Sequence, residues 1–124
     1  MTDAPDCAIA YDEAASCVTM GWRAYSPAGF RRSNEKILGT LKRRGATKLL
    51  GEIEALEGLG ADEEAWLSQD WIPRAVQGGL RHVALVTPAF GLTHAPILLA
   101  GERIPAALSL AYFDSLEAAR AWLA

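Results

Sequence analysis

His82 and His94 are the two imidazoles of the chain, so acid–base or metal chemistry has to begin with them. Neither has a second ligand or base at a useful spacing. No Cys-x-x-Cys or His-x-x-x-His motif gathers the three or four donors that a zinc site needs. No Gly-x-Ser-x-Gly elbow occurs, and no phosphate-binding glycine loop leads into a helix. The acids could supply a carboxylate pair, but such a pair works as acid and base only when its two environments differ. These acids are expected to be uniformly solvated. His82 is expected to open a strand as an ordinary half-buried residue. His94 falls in an irregular segment and is the imidazole placed to touch a ligand. No cofactor and no metal are expected, and an enzyme of unrecognised type is the weakest of three readings.

The tryptophans carry more weight. On an ideal helix starting at Asp62, Leu67 and Trp71 share a face, while Trp66 sits with Glu63 and Asp70 on the polar one. An exposed Trp66 would suit a partner surface. If Pro73 distorts the helix phase, both rings instead pack against the sheet. A kinked, mobile helix over an apolar interior also suits ligand entry. Trp66, Trp71, Trp22 and His94 are therefore the candidate ligand or partner contacts.

Basic residues form the second candidate surface. Arg31, Arg32, Lys36, Lys42 and Arg43 lie off the apolar stripe of the first long helix. They make a solvated face, a contact with anionic headgroups worth about 1 kcal/mol per cation, or a surface for the acidic part of a second copy. The charge is polarised along the chain. Eight of the twelve basic residues lie between Arg23 and Lys48, against the single acid Glu35, whereas Leu49 to Pro73 holds seven acids and no Lys or Arg. The net charge of −3 argues against nucleic acid as the main partner.

The elements that must position these residues are legible in the patterning. Residues 7–11 and 17–25 alternate around the turn Asp12–Ser16 and predict an antiparallel hairpin. Cys7 is expected opposite Met20 or Gly21, and Cys17 near residue 10 or 11, a register that leaves two buried thiols rather than a disulfide. Ser26-Pro27 predicts a helix start, with Phe30, Asn34, Ile37, Leu38 and Leu41 facing inward and Gly45 ending it. Lys48–Ile53 predicts a buried parallel strand. Asp62 is the next N-cap candidate, followed by a kink or a second short helix at Pro73 that runs through Val76 to Gly78-Gly79. Arg81–Val86 and Ala107–Phe113 predict further strands, with a short helix at Ala95–Ala100 between them. The chain closes on a helix capped by Asp114 with Glu117 in the capping-box position, burying Leu116, Ala119 and Leu123 beside Trp122. A mixed five-stranded α/β sheet with an N-terminal antiparallel hairpin and crossover helices follows.

At 124 residues one domain is expected, residues 7–124, behind a tail of residues 1–6. No apolar run approaches the ~20 residues of a membrane span and no basic leader is evident, so a cytoplasmic protein is expected.

Several of these stretches together resemble a known family. They are Trp22 at the hairpin's end, the basic helix, the Lys48–Glu52 strand and Trp66-Leu67…Trp71-Ile72-Pro73-Arg74. Gly79–Val86 and Phe113–Ala119…Trp122-Leu123 complete the set. From about Tyr11 to Leu123 the chain is similar to bacterial SpoIIAA-like proteins of the STAS/CRAL-TRIO class. The resemblance implies a STAS-like fold and a non-catalytic binding or regulatory module. Its relatives include phosphorylation-switched antagonists of anti-sigma factors and lipid-transfer proteins that hold an apolar ligand beneath a movable helix. The antagonists' phosphoacceptor turn has no counterpart here, because no hydroxyl side chain occurs between Thr47 and Ser68. An apolar small molecule or lipid is thus the first expected partner, with peripheral membrane contact. A homodimeric adaptor is the alternative.

Overall fold

A computed structural model describes residues 2–4, 7–53, 61–86 and 106–124. His94, the Ala95–Ala100 helix and most of the acidic connection after Ile53 lie outside them. The strands β1 (Thr2–Ala4), β2 (Cys7–Asp12), β3 (Cys17–Trp22), β4 (Lys48–Glu52), β5 (His82–Val86) and β6 (Ser109–Phe113) form one sheet in sequence order. β1, β2 and β3 pair antiparallel, and β3 to β6 run parallel. The five expected strands are present. Thr2–Ala4 was expected in a tail, but it occupies the outer edge of β2 as a sixth strand, where it pairs backbone groups that an edge leaves open.

The hairpin register is shifted from expectation. Cys7 stands opposite Trp22 and Cys17 opposite Asp12, because the turn spans only residues 13–16. Both thiols are free and buried, and burial pushes the Cys17 thiol up.

Helix α1 (Pro27–Arg44) starts where Ser26 Oγ accepts the Gly29 amide at 3.2 Å, with Pro27 fixing the first helical φ. It ends at Gly45, whose φ of 60° is the left-handed conformation a C-cap requires. All five expected inward residues are buried. Helix α2 (Ala61–Trp66) opens one residue before Asp62, so Asp62, Glu63 and Glu64 occupy its positive first turn.

Pro73 is accommodated by a π-helical stretch rather than by a sharp break. Leu67–Trp71 is π-helical, Ile72 donates five residues back to Leu67, and α3 (Ile72–Gln77) follows. Widening the turn removes the need for a bond from proline and relieves its clash with the carbonyl four residues earlier. Residues five apart then stack on one side, so Trp66 and Trp71 come round toward the same face.

Consecutive parallel strands joined by same-handed crossovers place α1 and the α2–α3 arm on one face of the sheet. There Val18, Met20, Trp22, Leu49, Val83 and Leu85 meet Phe30, Ile37, Trp71 and Ile72 in the main core. Helix α4 (Leu116–Leu123) covers the opposite face with Ala119 and Leu123 over Leu50 and Ala84. Its cap is Ser115, not Asp114. The Ser115 Oγ accepts from Ala118 N at 3.2 Å, which leaves Glu117 in the first turn. Leu116 therefore falls outside the buried stripe and is 37% exposed.

Candidate functional site

The main core is not filled. Between the sheet and the α2–α3 arm lies a cavity of about 60 Å³. Its floor is Met20, Leu49, Val83 and Leu85, and its roof is Leu67, Trp71 and Ile72. Trp22, Phe30 and Asn34 close one side. The sequence put these residues in place by two periodicities: alternate strand positions supply the floor, and α1's inward stripe supplies Phe30 and Asn34.

Two of the expected tryptophans shape this space directly. Trp22 is buried, its ring 5.4 Å from that of Phe30, and its indole N–H points at Met20 Sδ at 3.4 Å. Trp71 is also buried and donates through Nε1 to the main-chain oxygen of Asn34 at 2.7 Å. An interior ring cannot anchor a partner, so an adaptor role through Trp71 has no surface to work from. Trp66 is half-buried, edge-on to Phe30 at 6.1 Å, with the Arg31 guanidinium 5.3 Å from its ring centroid. It seals the outside of Phe30 rather than projecting as a free hydrophobic residue.

Outside the cavity, the arm is latched to α1 by ions. Arg74 holds both Glu35 oxygens, one at 2.9 Å, and also Asp70 at 3.0 Å. The Arg74 guanidinium keeps the Glu35 carboxyl below the usual range, and Glu35 in turn raises Arg74 further. The latch was not singled out in the sequence. Its only signal is a lone acid in a basic helix, with Arg74 the single cation of the arm.

The basic residues of α1 do not form one uniform patch. Arg31 is committed to Trp66, and Arg43 donates to Thr40 Oγ1 at 3.2 Å. Lys42 sits close enough to Glu35 to favour its charged form. Arg32, Lys36 and Arg43 share the outward side of the helix, a spacing of four and seven residues.

The opposite sheet face has its own groove, about 280 Å³, over Ala8, Ala10, Thr19 and Gly21 beside Leu116 and Arg120. At its end Arg120 pairs with Asp12 at 2.7 Å and holds that carboxyl below its ordinary range. His82 is exposed and lies edge-on to Trp122, 5.8 Å between rings. Among the described residues no three His, Cys, Asp or Glu side chains are grouped to hold a metal. No helix among them is long and apolar enough to cross a membrane.

No curated protein and no solved structure matches the chain. A family model described as SpoIIAA-like matches residues 23–124. That stretch begins after the hairpin and contains α1, β4, the whole α2–α3 arm, β5, β6 and α4, which together build most of the cavity. The chain belongs to the SpoIIAA-like family of small STAS-type α/β modules.

Proposed function

We propose that this chain is a cytoplasmic, non-enzymatic binding module whose apolar interior admits an apolar or lipid-like molecule when the α2–α3 arm moves outward. The observation that carries the reading is the cavity beneath Leu67, Trp71 and Ile72, walled by apolar side chains with Asn34 among them. At about 60 Å³ it is smaller than the roughly 150 Å³ that accommodates benzene in an engineered apolar cavity. An acyl chain therefore enters only by displacing the arm. The arm suits that movement, because a π-helical stretch already interrupts it and its outer latch is a solvent-exposed ion pair.

Thermal melting against fatty acids and fatty alcohols, from octyl to hexadecyl, tests the reading. A true ligand at a hundred times its Kd adds about 2.7 kcal/mol to stability and raises Tm. Unchanged melting across the panel would remove it.

The outward Arg32, Lys36 and Arg43 favour a second reading, peripheral contact with anionic lipid. None of the three has an ion-pair partner among the described residues. Co-sedimentation with phosphatidylglycerol vesicles, absent with phosphatidylcholine and lost at high salt, is the expected result. Equal binding to both vesicle types would refute it.

A further inference from the structure

Among the described residues that line the cavity Asn34 carries the one polar amide side chain, and it is 4% exposed. One hydrogen bond of its side chain and one of its main chain are seen. Nδ2 donates to the Phe30 carbonyl at 2.9 Å, and its main-chain oxygen accepts from Trp71. The Phe30 carbonyl can only accept, which fixes Nδ2 on that side of the amide and leaves Oδ1 as its other end. No described group donates to Oδ1. The described side-chain atoms that are sealed off without a partner are Ser33 Oγ and Arg74 Nε; Oδ1 is not among them and keeps some open surface, and Asn34 is a lining residue of the cavity.

A buried acceptor in an apolar enclosure discriminates among ligands. It gains from a hydroxyl or N–H, is left unsatisfied by a methyl, and opposes a carboxylate, which would face it as a second acceptor without its water. A few convergent polar groups in an apolar pocket are what orient a small molecule. We propose that the ligand of this cavity carries one neutral hydrogen-bond donor on an apolar frame, held with that donor on Asn34 Oδ1. A fatty acid would bind tail-inward, with its carboxylate outside. The inference rests on the cavity being a ligand site, and it adds the chemical class and the residue that selects it.

Phenol and toluene form a matched pair of probes, equal in heavy atoms and differing by a hydroxyl against a methyl. The affinity of each is measured by NMR titration for the intact chain and for Asn34→Leu. The readout is the phenol-to-toluene affinity ratio, which removes their different hydrophobicities once the two proteins are compared. The ratio is expected to fall about 3- to 10-fold in Asn34→Leu, with toluene still bound. In the unaltered protein, the Asn34 side-chain amide resonances should move with phenol and stay with toluene, a measurement that stands even if the variant fails to fold. Two probes that bind with a ratio unchanged by the substitution, or that leave the Asn34 amide equally unmoved, overturn the selection by Asn34 while the cavity reading survives. Failure of both probes to bind removes the two together.

Discussion

The indole N–H of Trp71 reaches across to the main-chain oxygen of Asn34 at 2.7 Å, a bond between residues 37 apart in sequence. It ties the π-helical stretch to α1 at the cavity's side and is buried at both ends. Trp71→Phe keeps an aromatic ring but removes the donor and leaves space behind. The expected loss is about 1–3 kcal/mol in urea unfolding, from the hydrogen bond and the enlarged cavity together. Trp71→Ala should cost about 3–5 kcal/mol. Unfolding midpoints unchanged by both substitutions would mean that the arm is not held at this point.

The outer latch predicts an acid-sensitive contribution. Because Arg74 lowers the folded pKa of Glu35, the unfolded chain binds more protons as pH falls through the carboxylate range. The pair's contribution is therefore complete above the ordinary Glu pKa and is lost as pH drops through the lowered folded value. Both side chains are more than a third exposed, so solvent screening holds the coupling to about 1 kcal/mol or less. A double-mutant cycle of Glu35→Gln and Arg74→Met at pH 7 and pH 3 checks the sign. Coupling should be present at pH 7 and reduced at pH 3; a larger value at pH 3 contradicts the assignment.

Gly51 leaves room for the side chain of Met20, a residue of the cavity floor. A Cβ built there would collide with Met20 Cε and lie 2.9 Å from Met20 Cγ. Gly51→Ala must therefore drive the Met20 side chain into the neighbouring space, at about 1–3 kcal/mol for overpacking. Stability in urea should fall, and any ligand-induced rise in Tm should shrink with it. A stable variant with full ligand response would show that Met20 has somewhere else to go.

Ser33 offers the opposite case. Its hydroxyl is sealed against the core with no partner among the described residues. Ser33→Ala removes an unpaired polar group and substitutes the best helix former, so stability should rise, by up to about 1–3 kcal/mol. Destabilisation on this change would reveal a hydrogen bond at Oγ.

Local signals made the frame of the protein legible. Ser26-Pro27 and Gly45 bracket α1 because an N-cap, a fixed φ and a left-handed glycine each depend on one residue. The parallel strands were readable as short apolar runs between helices, since burial on both faces removes polar alternation. Features that depend on competition between neighbours were less legible. Asp114 and Ser115 both suit a cap, and the helix takes Ser115. The wide turn before Pro73 exchanges an α register for a π register, and periodicity computed on 100° per residue cannot see that exchange. The candidate site was legible only in part. Asn34 stood in the inward stripe from the start, but its significance lies in an acceptor left over after Phe30 and Trp71 are satisfied. That remainder exists only in three dimensions.

On this reading one side of the sheet, and not the other, takes an apolar guest. Methyl NMR during titration with decanol tests it most directly, because each face carries its own reporters. Saturable shifts are expected at Leu49, Leu67, Val83 and Leu85 around the cavity, while Leu50 and Leu123, in the core between the sheet and α4, stay in place. Shifts spread evenly over both sets, or absent from the first, would contradict it.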